Sequence, residues 1–213
     1  MKRLALSFLC FLVSEDDSRS EPPPLSDGLL VELCDTTGLE LSILETARAE
    51  TSGLFSGAGA HVHWGANCEI PPLTTPRSAR IYVVPLIPEG IANRHREYRG
   101  RTHVMGYVLA TPTEKRPGVI YVSRRAVEAN ASRSGRTNLT EAHLARALGR
   151  VFAHELAHRF LRAGHTKKGI LKDSLDQEDL IGEESSALFF SSAQSEALRR
   201  LIDGTDRNLG EAR

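Results

Sequence analysis

Residues 138–165 read NLTEAHLARALGRVFAHELAHRFLRAGH. Leu144, Leu148, Val151, Phe152, Leu156 and Phe160 recur at spacings of three and four. That spacing predicts one long amphipathic helix over about Leu139 to Ala163. Asn138 or Thr140 is placed to cap its start, and Gly164 to end it in a left-handed conformation. Inside this helix lies His154-Glu155-Leu156-Ala157-His158, an HExxH pattern. Residues four apart on a helix are offset by about 40° and one turn, so both imidazoles project to the same side. Two rings so placed can each reach one ion at about 2 Å. Glu155, one position on, flanks that face and can take the proton of a metal-activated water as general base.

A catalytic zinc takes three protein ligands and keeps one position open. The preferred third ligand is His165, seven residues after His158. On a continuous helix it would sit about 10 Å further along the axis, so the chain has to turn, and Gly164 directly precedes it. Glu178 is the rival, with Glu183 and Glu184 as further options, and the residues alone leave this choice open. His61 and His63 alternate on a predicted strand without an acidic or cysteine partner and read as an ordinary strand face. His143 is about 16 Å up the helix, too far to join. His95 and His103 carry no role.

The segment resembles the metzincin branch of the zincin metallopeptidases, whose signature is HExxHxxGxxH followed by a methionine-bearing turn. The corresponding stretch here is HELAHRFLRAGH, His154 to His165. It departs in two ways. The third histidine is one residue late, with Leu161 in the place of the glycine, and the only methionines are Met1 and Met105. The chain is also similar to a set of bacterial zincin-like proteins with a pattern like HELGHLLL…HS..GIM. Here HELAHRFLRAGHTKKGIL has Leu171 at the methionine position. Glu178-Asp179-Leu180, Phe189-Phe190 and Gln194 to Arg200 come after it, and HVHWGANC (His61 to Cys68) precedes. The resemblance implies a zinc peptidase acting on a peptide or protein substrate, with Zn2+ on His154, His158 and His165. It also implies a zincin-like α+β fold: a small mixed sheet packed on a long active-site helix, with a helical C-terminal part. Spacing by itself supports only a metal-activated water and a base. The alternatives are a non-enzymatic zinc-binding protein or inactive zincin, and a metal-free protein with a chance motif.

The rest of the chain fits one domain. Its 213 residues can bury a core without metal or disulfide staples. Strands are expected at Leu29–Leu33, His61–Trp64, Arg80–Leu86, Val104–Ala110 and Val119–Val122. Helices are expected over about Leu39–Phe55, stopped by Gly57 and Gly59, then Asp176–Ser185, and Ala193–Ile202 capped by Ser192. Ala129 to Asn138 reads as irregular. Strands mostly first and helices later suggest α+β. With 27 basic and 27 acidic side chains there is no field that would favour nucleic acid, and Arg94, Arg96, Arg99 and Arg101 read as a solvated loop.

Lys2 and Arg3 followed by the apolar run Leu4–Val13 fit an export signal, and the run is too short to span a bilayer. The expected organisation is a signal over 1–14, a linker over 15–28 containing Pro22-Pro23-Pro24, and a single zincin-like domain over 29–213. The expected location is secreted or periplasmic, with a cytoplasmic protein bearing a frayed apolar N-terminus as the alternative. Cys34 and Cys68 would form a disulfide in an oxidising compartment or remain two buried thiols otherwise. Oligomeric state is left open.

Overall fold

The computed structural model describes residues 28–65, 68, 75–88, 104–109, 118–132, 138–183 and 188–205. The expected signal and linker, the Arg94–Arg101 loop, His95, His103 and Glu184 lie outside these residues.

The order of elements is β1 (Gly28–Asp35), α1 (Leu41–Gly57), β2 (His61–Gly65), β3 (Ser78–Val84), β4 (Gly106–Leu109), β5 (Gly118–Ser123), α2 (Arg124–Ala131), α3 (Glu141–Leu161), α4 (Gln177–Ile181) and α5 (Ser192–Asp203). The strands form one mixed sheet in the order β2-β1-β3-β5-β4. Four strands run parallel, and β4 pairs antiparallel with β5. Parallel neighbours need a crossover, and α1 supplies it between β1 and β2. β4, the shortest strand, ends the sheet, so its outer edge has no strand partner among the described residues.

Alternation along the strands gives the sheet two unlike faces. Leu29, Val31 and Leu33 of β1, Ile81 and Val83 of β3, and Ile120 and Val122 of β5 are buried on one face, against α1 and α3. The other face carries the Arg80–Glu32 ion pair and a stacked Tyr82–Tyr121 pair with centroids 5.7 Å apart. Cys34 of β1 is joined to Cys68 by a disulfide, which decides between the two readings of those cysteines.

Helix α3 is the axis of the molecule. Fourteen of its residues are buried, including Leu144, Leu148, Phe152 and Leu156, so it lies within the core rather than on its surface. Arg150, 1 % exposed, is held by Glu50 of α1 at 2.8 Å and by the Asp179 carbonyl of α4 at 2.9 Å. The Thr51 hydroxyl donates to the Gly149 carbonyl at 2.9 Å. These bonds satisfy a buried cation and lock α3 against both neighbours, which a metal site built on α3 needs.

Several boundaries differ from the sequence expectation. Thr140, not Asn138, caps α3, its hydroxyl accepting from the His143 amide. Ser191, not Ser192, caps α5 through a capping box with Gln194. A helix, α2, occupies Arg124–Ala131, overlapping the start of the stretch expected to be irregular, and Ser123 caps it. The largest correction concerns the end of α3. The helix stops at Leu161, and the left-handed residue is Arg162 (φ 49°, ψ 31°), not Gly164. A non-glycine residue there costs roughly 1–2 kcal/mol. Arg162 is exposed, so its side chain does not compete with the core for space. Backbone bonds within the Thr166–Asp173 loop hold the turn in place.

Candidate metal centre

The turn after α3 reverses the chain over three residues and returns His165 to the face carrying His154 and His158. One nitrogen from each of the three rings lies within 4.8 Å of the others. Ring centroids are separated by 4.6 Å (His154–His158), 4.6 Å (His158–His165) and 5.6 Å (His154–His165). Glu178 is exposed on α4 and is not part of this cluster, and Glu183 is exposed as well. Among the described residues no other set of His, Cys, Asp or Glu converges in this way, so His61, His63 and His143 stand apart.

The hydrogen bonds behind the rings fix their chemistry. His154 Nδ1 lies 2.7 Å from the Ile170 carbonyl, and His158 Nδ1 lies 2.8 Å from the Ala163 carbonyl. A carbonyl only accepts, so each Nδ1 carries the hydrogen and donates. In the neutral rings each Nε2 is then a bare lone pair. These two lone pairs face each other at 3.0 Å. Nitrogens bound tetrahedrally to one zinc at about 2.0–2.1 Å would be separated by about 3.3 Å, close to this spacing. A proton is a poor substitute. Burial first, and then the neighbouring His158, push the His154 pKa down to about 3, while burial also lowers that of His158. The donor set therefore fits a divalent metal that prefers imidazole nitrogen.

His165 is held more loosely, its Nδ1 lying 3.5 Å from the exposed Asp173 carboxylate. Two of the three histidines thus share the pattern of a ligand oriented from behind by a carbonyl, and the third has a carboxylate beside it. The loop that holds them is short and heavily bonded. Thr166 N donates to Leu171 O at 2.7 Å, Asp173 N to Thr166 O at 3.1 Å, and Ile170 N to Phe189 O at 2.9 Å. Lys172 bridges Asp176 and the buried Asp179, which cap α4. One loop thus supplies the third ring, the carbonyl that orients His154 and the carboxylate beside His165. Sequence reasoning found the rings but none of these supports: carbonyls carry no residue signature, and no spacing rule ties Asp173 to His165. Replacing Asp173 with Ala is expected to weaken zinc binding by about 10- to 100-fold, the usual cost of losing an orienting partner. Competition with a chromophoric chelator measures it, and an unchanged affinity would show that the loop alone holds the ring.

Glu155 is 7 % exposed and points toward the edge strand. A Cβ on Gly106 of β4 would overlap its carboxylate, so glycine at this position makes room for it. Burial raises the Glu155 pKa to about 8. In the metal-free protein the folded chain therefore holds a proton that the unfolded chain loses near the ordinary value of 4.5. That stabilising contribution is complete below about pH 4.5 and is lost as pH rises through about 8. Glu155→Gln cannot titrate. The metal-free variant is thus expected to gain on wild type by a few kcal/mol, on the order of 1.4 kcal/mol per pH unit, between pH 5 and 8. Urea midpoints of chelator-treated protein at three pH values measure it; a pH-independent difference contradicts it. A bound dication would favour the carboxylate and reduce the effect.

No known family profile matches this chain, and no curated protein matches it in sequence. Two solved structures are similar in fold. A zinc-dependent peptidase from Methanocorpusculum labreanum superposes with a TM-score of 0.50 at 12% identity, over 79% of this chain and 99% of that one. Archaemetzincin from Methanopyrus kandleri superposes with a TM-score of 0.50 at 13% identity, over 85% and 98%. At such identity the likeness concerns the fold: this chain has a mixed α/β architecture of the kind found in zinc-dependent peptidases.

Proposed function

We propose that this protein is a zinc-dependent peptidase, an endopeptidase in which His154, His158 and His165 hold the metal and Glu155 is the general base. The observation that carries the reading is the pair of bare imidazole nitrogens facing each other at 3.0 Å, with a third ring closing the set and a buried carboxylate one residue along the helix. A structural site needs no such carboxylate. A zinc ion held there would lower the pKa of water toward neutrality and polarise the bond to be broken.

The placement of the chain's own residues gives each a role in that chemistry. Glu155 accepts the proton of the attacking water and passes it to the leaving amine. Its raised pKa in the absence of metal marks a carboxylate with little solvent to compete for that proton. The outer edge of β4, without a strand partner among the described residues, lies beside Glu155 and offers backbone donors and acceptors to an extended peptide, which would dock by strand addition. β4 lies within the Val104–Ala110 segment expected from sequence to be a strand. The Cys34–Cys68 disulfide supports export to an oxidising compartment. No helix among the described residues is long and apolar enough to cross a membrane. The similar solved structures are a zinc-dependent peptidase and an archaemetzincin, which adds weight to the same chemistry.

Metal analysis and digestion of a mixed peptide library test this reading together. About one zinc per chain and zinc-dependent cleavage are expected. Zinc without cleavage would favour the inactive-zincin alternative, and absence of zinc at saturating metal would favour the chance motif.

A further inference from the structure

From Arg159 to Lys168 the chain carries four basic residues, Arg159, Arg162, Lys167 and Lys168, and no acidic one. The chain as a whole is balanced, with 27 side chains of each sign, so this run is a local excess. Its place in the fold gives it weight. It spans the last turn of α3, the left-handed turn at Arg162 and the loop that returns His165 to the helix histidines. That loop is tight: the Thr166 hydroxyl donates to the Lys168 carbonyl at 2.7 Å, and the Thr166 amide to the Leu171 carbonyl at 2.7 Å. Lys167 and Lys168 are thus held two and three residues from His165, with Cα atoms at most about 11 Å from its own.

The carboxylates closest along the chain are mostly engaged elsewhere. Lys172 takes up Asp176 and the buried Asp179, Glu155 is buried against Gly106, and Glu178 lies on α4 outside the histidine cluster. Asp173, 3.5 Å from His165 and 75 % exposed, is the carboxylate left at the loop. No ion pair joins Arg159, Lys167 or Lys168 to a described acidic residue. Arg159 Nε is buried without a hydrogen-bond partner, and Arg162 adds a like charge to it. Arg162, Lys167 and Lys168 are exposed, and in the chain they flank a ring that is itself 35 % exposed. Like charges held together oppose the compact state, and an anionic partner would relieve that repulsion.

We infer that this basic rim recruits acidic peptide segments, rich in Asp and Glu, to the metal centre. The inference rests on the peptidase reading for what happens to the peptide, but not for the binding preference itself. The rim acts through its field and not through one fixed contact. Clustered charge of one sign raises the local concentration and association rate of oppositely charged molecules by about 10- to 1,000-fold. At 0.1 M salt that influence extends about 10 Å, which covers a peptide held at His165. A peptide is favoured over nucleic acid because the excess is confined to one loop of a balanced chain, whereas a phosphate backbone is held by about 6–10 cationic contacts.

The test uses the zinc-loaded full chain in two assays. In the first, the Glu155→Gln protein is titrated by anisotropy with fluorescent peptides of one length that carry Glu, Gln or Lys at the same positions. At about 0.1 M salt the Glu peptide is expected to bind about 10-fold tighter than the Gln peptide, and the Lys peptide more weakly than either; at about 1 M salt the three converge. Adding Lys167→Glu and Lys168→Glu together abolishes or reverses that order. Adding Arg199→Glu and Arg200→Glu on α5, which alters the net charge by the same amount, preserves it. Zinc stoichiometry is measured on each protein, and if the loop variant loses metal, Lys167→Gln with Lys168→Gln takes its place and has to shrink the preference. Equal binding of the Glu and Gln peptides by the parent, or an order that survives the loop substitutions, overturns the inference. Tight binding to phosphatidylserine vesicles without discrimination among the peptides overturns it too, making the loop a membrane contact. In the second assay, wild type is tested for cleavage of the same peptides. If none is cut but the binding order depends on the loop, the peptidase reading falls and the rim stands. If all are cut with equal kcat/KM and bound equally, the rim falls and the peptidase reading stands.

Discussion

Glu155→Gln is expected to lower kcat/KM for peptide cleavage by about 100- to 10,000-fold, the range supplied by a positioned proton-transfer group, while leaving zinc binding within a few-fold of wild type. The substitution keeps the size and hydrogen-bonding shape of the side chain, so its packing against Gly106 is preserved. What it removes is the basic oxygen. Because the His154 and His158 rings are oriented by the Ile170 and Ala163 carbonyls and His165 lies beside Asp173, none of them resting on Glu155, the donor set is left intact. Metal content and steady-state kinetics on one preparation separate the two effects. A variant that loses zinc would make Glu155 a structural support of the site. A variant that retains both zinc and full activity would remove it from the chemistry, since no other described carboxylate is buried on that face of α3.

The HExxH face was legible because its rule is local. Two rings four apart on a helix must face one way, and the apolar stripe through Leu148, Phe152 and Leu156 made the helix itself unambiguous. The location of the turn was not legible in the same way. Gly164 is the residue with the lowest intrinsic cost for positive φ, yet the chain spends that cost at Arg162. The reason is tertiary. His158 needs the Ala163 carbonyl, and Thr166 through Asp173 form a closed set of backbone bonds, so the left-handed residue has to come before residue 163. The left-handed residue, Arg162, therefore comes one residue beyond the position at which the metzincin pattern carries glycine, and the third histidine is late by the same one residue. Two apparent departures from the pattern are one displacement. Sheet topology was equally hidden. The strands β1, β3 and β5 are apolar enough to be found, but nothing in one sequence says that they pair in parallel while β4 runs the other way. The glycine that admits Glu155 to the sheet edge, Gly106, looks like any strand glycine until α3 is seen across from it.

The choice of third ligand carries the second large effect. His165→Ala is expected to weaken zinc binding by at least about 100-fold, the upper end of what losing only an orienting partner costs, and to abolish hydrolysis at stoichiometric zinc. Glu178→Ala is expected to change neither. Glu178 caps nothing at the site: it is an exposed residue of α4, a helix whose start is fixed by the reciprocal bonds of Asp176 and Asp179. His165 lies on the loop between α3 and α4, where its distance from His154 and His158 depends on the Arg162 turn and on Asp173. The pair of variants reads geometry and not mere proximity in sequence, because both residues lie within twenty positions of His158 and only one faces it. Chelator competition for zinc at fixed pH gives the affinities. If Glu178→Ala lost the metal and His165→Ala kept it, the loop would have to rearrange on binding so that α4 closes over the two helix histidines. The bonds from Thr166 to Leu171 and from Lys172 to Asp179 oppose that movement, because breaking the second would take the Lys172 cation away from the buried Asp179 carboxylate.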